Sequence, residues 1–262
     1  MKNKQTLLYF HEDKVEVLYY VWQEVGYLLE SKKTIDTTNE EQNIEFANEK
    51  LRLANIFIPD EQNYLKLLSF KASQKISKLD IVKEIESFIP ESIEAKNIYW
   101  EKIGGDEEQS IILVKVIKSD YIKQILDYLE KYKIKLDNIY FESDLIANTR
   151  VEIENPEIVL LTKNDKVLIV VAYKGKVWQS IVAEKGKEKE KIDQIKTDFE
   201  DKWKIKLDKI VEEKGDVFNM IQFQTKSKTN FVITANFWYG LLIVISLIIL
   251  GVFIFLILGQ KK

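Results

Sequence analysis

The run 237–258, FWYGLLIVISLIILGVFIFLIL, contains no charged residue. At about 1.5 Å per residue it makes a helix of roughly 33 Å, enough to cross a hydrocarbon core of about 30 Å. A helix buried in a water-soluble core would carry a polar face. Here Ser246 is the polar side chain at the centre, and its hydroxyl can bond a carbonyl one turn back in its own helix. The ends suit a bilayer too. Phe237, Trp238 and Tyr239 place aromatic rings at headgroup depth, and Lys261 and Lys262 place ammonium groups among lipid phosphates. The sequence therefore predicts a body over 1–224, a juxtamembrane segment over 225–236, one membrane-spanning helix over 237–258 and a short tail over 259–262.

Residues 1–10, MKNKQTLLYF, hold no apolar run long enough for a secretory signal, so the body is expected on the cytoplasmic side of a bacterial inner membrane, held by a single pass. Lysines flank the span on both sides and do not decide the orientation. The absence of cysteine is compatible with a reducing compartment. With Lys+Arg 39 against Asp+Glu 42, the formal net charge of −3 gives no electrostatic basis for nucleic-acid binding. The body is long enough for one large domain or two packed subdomains, and no Ser/Gly-rich linker or repeat divides it.

Apolar and polar residues alternate over 5–20 around a break at His11-Glu12-Asp13-Lys14, and a second break at 24–26 leads to 27–34. β-Branched and aromatic residues at period two predict a three-strand meander. The period then changes over 37–53, where Ile44, Ala47, Leu51 and Ala54 share a helical face behind Asp36, Thr37 or Thr38 as N-cap. Residues 55–58 and 64–70 read as a hairpin around Pro59-Asp60-Glu61-Gln62-Asn63. A helix follows over 77–88, with the stripe Ile81, Val82, Ile85, Phe88 and Ile89, and Pro90 ends it. Strands over 97–103 and 110–117 turn at Gly104-Gly105-Asp106. Ser119 is the expected cap of a helix over 120–132, 136–141 reads as a strand, and Ser143 is the expected cap of a short helix to Arg150. Three strands over 157–183 turn at Asn164-Asp165 and Lys174-Gly175. A charged helix over 187–203 docks through Ile192, Ile195, Phe199 and Trp203, before expected strands at 209–213 and 218–223.

Nothing in this pattern assembles a catalytic site. The single histidine, His11, lies in a turn, and no cysteine is available as a nucleophile or for a Cys/His metal set. Neither G-x-x-x-x-G-K-[ST] nor G-x-G-x-x-G occurs, so the two commonest phosphate cradles are missing. No catalytic, cofactor-binding or metal-binding residue is assigned, and the chain is not expected to be an enzyme.

A meander followed by a helix and further strands, met twice, resembles the ribonuclease-H-like halves of actin-like proteins. The run IVKEIESFIPESIEAKNIY over 81–99 resembles the segment of the type IV pilus assembly protein PilM in which a helix ends in I-P before a strand. NIYFESDLIANTR over 138–150 resembles the PilM stretch in which a strand delivers a short helix, and 158–186 resembles the hairpin opening the second half. The implied fold class is mixed α/β: a degenerate actin-like body of two ribonuclease-H-like subdomains plus one C-terminal transmembrane helix. Actin-like ATPases carry Asp-x-Gly in the first turn of each half, so that backbone N–H groups reach phosphate. The matching turns here are His11-Glu12-Asp13-Lys14 and Lys163-Asn164-Asp165-Lys166, without glycine, so ATP is not an expected cofactor, and Asp13 and Asp165 read as ordinary turn acids, with relic metal ligands as the alternative.

PilM relies on a membrane partner, PilN, whereas this chain is expected to carry its own span. The layout is similar to that of GspL of type II secretion. Thr229-Asn230-Phe231-Val232 also resembles the PilN peptide that PilM grips, although 225–236 reads more simply as a tether. The resemblance implies a non-catalytic scaffold of a pilus or type II secretion-like platform, with a PilN-like protein and an assembly ATPase as partners. Ile85, Phe88, Ile89 and Pro90 are the expected partner-binding residues. The alternatives are a membrane-anchored actin-like ATPase, or a tail-anchored adaptor unrelated to pili.

Overall fold

The first three strands form an antiparallel meander: β1 (Lys4–Phe10), β2 (Lys14–Gln23) and β3 (Gly26–Asp36) pair in sequence, with Leu7 opposite Leu18 and Val15 opposite Ile35, and β1 and β2 bury side chains on both faces. The structure, a computed structural model, describes residues 4–24, 26–48, 53–90 and 97–221. The expected juxtamembrane segment, span, tail and anchor residues lie outside the described residues, as does the expected PilN-like tetrapeptide. Among the described residues no helix is long and apolar enough to cross a membrane.

After α1 (Glu40–Asn48) the chain returns as β4 (Leu53–Ile58), which lies parallel to β1 with Ile56 beside Leu8. A parallel neighbour requires a crossover, and α1 provides it. The chain then leaves this sheet. β5 (Asn63–Lys71), α2 (Lys78–Ile85), β6 (Ile98–Gly105) and β7 (Gln109–Ile117) build a separate antiparallel sheet of order β5-β7-β6. Helix α3 (Ser119–Lys131) leads back to β8 (Lys135–Phe141), parallel to β4, and completes a first sheet of order β3-β2-β1-β4-β8.

The short helix α4 (Glu142–Asn148) opens the second half. β9 (Glu157–Lys163), β10 (Lys166–Tyr173) and β11 (Lys176–Glu184) form another antiparallel meander. Then α5 (Glu188–Trp203) carries the chain to β12 (Lys209–Glu213), parallel to β9, in a sheet of order β11-β10-β9-β12. Meander, helix, parallel strand beside the first: the same unit occurs twice. This repeated strand order identifies a mixed α/β body with two ribonuclease-H-like halves, the actin-like arrangement, with the β5-β7-β6 sheet inserted in the first half.

Three apolar clusters follow from this layering. Leu8, Phe10, Val17, Ile56 and Ile58 on one face of the first sheet pack with Phe46 of α1 and Ile122, Ile125 and Leu129 of α3. The opposite face, through Leu7, Leu18, Tyr20 and Phe57, joins α4, the second-half sheet and α5 in one continuous core. The third cluster sits between α2 and the inserted sheet, around Ile81, Ile85, Ile112 and Val114.

Several local expectations are corrected. Residues 55–58 and 64–70 do not form a hairpin, because β4 and β5 belong to different sheets. From Ala54 to Ile58 every residue of β4 is buried, as a parallel strand between two neighbours must be. Ala54 is therefore a strand residue. In α1 the inward side chains are Asn43 and Phe46, while Ile44 is exposed, and Asn39 acts as N-cap by accepting from the Gln42 N–H at 3.1 Å. Lys118 and Phe141, not Ser119 and Ser143, occupy the N-cap positions of α3 and α4. Val217–Met220 is a 3₁₀ turn where a strand was expected, and its Phe218 carbonyl accepts the buried Tyr20 hydroxyl at 3.0 Å. Ser77 does cap α2, in a capping box with Asp80.

Ile56 is fully buried at the centre of the first sheet. Ile56→Ala leaves a cavity where neither face can collapse and should cost about 2–5 kcal/mol. Urea denaturation should show a lowered midpoint with an unchanged slope; an unchanged midpoint would contradict this placement.

Candidate functional site

The two halves and the inserted sheet meet at the first turn of α4, Glu142-Ser143-Asp144. Acidic side chains suit this position because the helix N-terminus carries partial positive charge. The Glu142 carboxylate accepts from the Lys163 ammonium, at the end of β9, and from the Asp60 backbone N–H at 3.3 Å. Asp60 reciprocates through Oδ1, which accepts from the Ser143 N–H at 3.2 Å. Asp144 accepts from the Lys115 ammonium of β7, which also lies 3.5 Å from Ser143 Oγ and 4.6 Å from the Phe141 ring centroid. Glu61 stands 3.8 Å from both Lys163 and Lys166. Sequence reasoning gave none of these residues a functional role; Ser143 was expected only as a helix cap. One was visible in the sequence: Lys115 is the single charge in the strand run IILVKVI.

Glu142 is only 1% exposed, and burial pushes its carboxyl up to about 7, with the Lys163 ammonium pulling the other way. Burial also raises the nearby Tyr9 phenol far above its ordinary range, reinforced by the charges of Glu142, Glu61 and Glu16. His11 is half-buried, stacked on Tyr9 at 4.2 Å, with Nε2 3.5 Å from Glu16 Oε1; burial lowers its pKa.

The turns that would face a phosphate are occupied by protein contacts. In the β1–β2 turn, the His11 N–H bonds the Lys14 carbonyl, the Asp13 carbonyl accepts from Thr37, and the His11 carbonyl accepts from Gln124 Nε2 at 2.7 Å. In the β9–β10 turn, Asn164 takes the left-handed conformation at φ 44°, and the Asp165 carbonyl accepts from the Lys185 N–H at 2.8 Å. Asp13 and Asp165 are both exposed. Among the described residues no group of three His, Asp or Glu side chains could hold a metal ion.

Beside this polar cluster runs a groove of about 420 Å³. Asp60, Glu61 and Asn63 line one end of it; Tyr64, Leu65 and Lys66 of β5, Val114 and Val116 of β7, Ile85 at the end of α2 with Phe88 and Ile89 just beyond it, and Ser180 and Val182 of β11 line the rest. Three of the four expected partner-binding residues thus share one wall. Ile85 is fully buried beneath it, Ile89 is half-buried, and Phe88 is 58% exposed with Lys66 Nζ 3.7 Å from its ring centroid. Pro90 is exposed and does not line the groove.

An acid whose folded pKa lies above its ordinary value binds its proton more tightly when folded. Its stabilising contribution is complete below pH 4.5 and is lost as pH rises toward about 7. The stability of the wild-type protein relative to Glu142→Gln should therefore fall across that window, by up to about 1.4 kcal/mol per pH unit. Urea titrations of both proteins at several pH values measure the difference; a difference independent of pH would contradict the assignment.

No family model matches the chain, and no curated protein matches it in sequence. Among solved structures it is similar to the cytoplasmic domain of EpsL, an inner membrane component of the type II secretion system of Vibrio cholerae, at 10% identity and TM-score 0.49, covering 83% of this chain and 92% of that one. It is similar to the PilM–PilN type IV pilus biogenesis complex at 10% identity and TM-score 0.47, covering 84% and 68%. A Bacteroides thetaiotaomicron protein with an actin-like ATPase fold and unknown function is similar at 8% identity and TM-score 0.44, covering 80% and 81%.

Proposed function

We propose that this chain is a non-catalytic scaffold, anchored by a single C-terminal pass in the bacterial inner membrane, whose cytoplasmic body binds other components of a type IV pilus or type II secretion-like platform. The observation that carries the reading is the groove at Phe88: an open trough of mixed apolar and polar lining between the segment after α2 and β11, next to a cleft closed by the protein's own ions. Apolar walls combined with a few placed polar groups are the usual form of a recognition site. The cleft, by contrast, offers little to a nucleotide. Its facing turns lack glycine, several of their backbone groups are bonded internally, and Lys163 and Lys166 there already face Glu61. The body acts without nucleotide or metal.

The naming of the platform rests on the sequence resemblance to PilM, and a PilN-like membrane protein and the assembly ATPase are the partners it suggests. Anchoring confines the body to the membrane plane, which raises its effective concentration near other membrane components and makes weak interfaces sufficient. Function here is position.

Affinity capture of the full chain from its native membrane, after mild solubilisation, should recover a pilus or secretion ATPase, a PilN-like protein or another platform component identified by mass spectrometry. Phe88→Asp should abolish recovery of the groove partner without moving the thermal midpoint, since Phe88 is largely exposed. Calorimetric titration with Mg-ATP should give no binding heat. Nucleotide binding lost in Asp13→Ala would overturn the reading, as would capture of platform components undiminished by Phe88→Asp.

A further inference from the structure

A hairpin end is ordinarily polar, because water surrounds it. The end of the β2–β3 hairpin is not. Trp22 and Tyr27 form its last cross-strand pair but one, with ring centroids 5.1 Å apart at 76°, on the face that carries Tyr20 and Leu29. Val21 and Leu28, the neighbouring pair, point to the opposite face. Trp22 is 46% exposed and Leu28 48%, so apolar surface is presented on both faces of the hairpin. A surface built to receive a protein uses one face of a sheet. An end that is apolar on both faces suits a medium that surrounds it.

The register places this end in the fold. β1, β4 and β8 are parallel, so their starts lie with the β2–β3 turn at one end of the first sheet, while the β1–β2 turn, Asp60 and the first turn of α4 lie at the other. At about 3.3 Å per residue, β1 separates the two ends by roughly 20 Å. The chain also leaves the body on the first sheet. After β12 it crosses to that sheet, where the Phe218 ring packs 5.0 Å from Phe57 and 5.8 Å from Tyr9. The Phe218 carbonyl accepts from Tyr20, which precedes Trp22 by two residues on the same face. The described body ends soon after, at the buried Ile221. Fifteen residues, 222–236, then lead to the uncharged run 237–258, and they can reach at most about 50 Å. A membrane that holds the run therefore keeps the body at its surface.

We infer that the end of the β2–β3 hairpin is a second membrane contact: Trp22, Tyr27 and Leu28 enter the headgroup region and orient the body on the bilayer. The inference rests on the C-terminal run being the membrane anchor, and it specifies how the body sits beside that anchor. Trp and Tyr favour this depth because their rings are apolar while their N–H and O–H groups stay hydrated. The exposed charges at this end are balanced, Lys4, Lys133 and Lys135 against Glu24, Glu30 and Asp137. The contact therefore draws on apolar and aromatic side chains, not on anionic lipid, and forms on a zwitterionic surface. In this orientation the cleft and the Asp60–Glu61 end of the groove face away from the bilayer, and a partner reaches them from the aqueous side.

The chain has no cysteine, so a single introduced one carries a spin label without background. Labels are placed one per protein, by Gln23→Cys beside Trp22, by Glu12→Cys in the turn at the other end of the sheet, and by Ser246→Cys at the centre of the apolar run. The full chain is reconstituted in phosphatidylcholine nanodiscs, and power saturation compares accessibility to oxygen, which concentrates in lipid, with accessibility to a water-soluble nickel chelate. The oxygen-to-nickel ratio should be severalfold higher at position 23 than at position 12. Trp22→Ser combined with Leu28→Ser should return position 23 to the value at position 12, with little change in the thermal midpoint, since both side chains are about half exposed. A label at position 246 in hydrocarbon, with position 23 as aqueous as position 12, overturns this inference and leaves the anchor. So does a label at position 23 shielded from oxygen and nickel alike, which marks a protein contact, or one that the double replacement does not move. A label at position 246 open to nickel overturns both.

Discussion

The Glu142 carboxylate against the Lys163 ammonium is the contact on which the arrangement of the three sheets depends. Glu142 stands at the end of the first-half sheet and Lys163 at the end of the first strand of the second-half sheet; Lys115, from the inserted sheet, reaches Asp144 two residues along the same helical turn. Buried ion pairs add little net stability, because desolvation offsets most of the attraction. What they impose is geometry. Sliding one sheet past another would leave Glu142, Lys115 or Asp60 buried without its partner, and such a state costs several kcal/mol.

The same contact bears on what the cleft holds. In a fold built from two βββαβ halves, the first turns of the meanders face a common space. A nucleotide there needs backbone N–H groups directed into that space and a positive field. This chain puts β-carbons at both turns, uses the turn carbonyls to hold Gln124 and Lys185, and fills the space with a nearly balanced set of its own charges. Burial holds the Glu142 carboxyl above the usual carboxylate range, and the side chain is sealed from solvent and does not line the groove.

How far the sequence could be read depended on whether a pattern is local. The two meanders were legible because period-two alternation and turn residues such as Asn164-Asp165 and Lys174-Gly175 are local properties. The pairing of β4 was not. Its buried run ANIFI looks like either half of a hairpin, and only β1 and β8, distant in sequence, make it a parallel central strand. The Phe218 region failed similarly: alternation around it suggested a strand, but Tyr20, almost two hundred positions away, bonds its carbonyl and supports a 3₁₀ turn. Ile85, Phe88 and Ile89 were visible as an apolar stripe on α2. The polar cluster was hidden, because the Asp60–Ser143, Lys115–Asp144 and Glu61–Lys163 contacts join residues that no spacing rule connects.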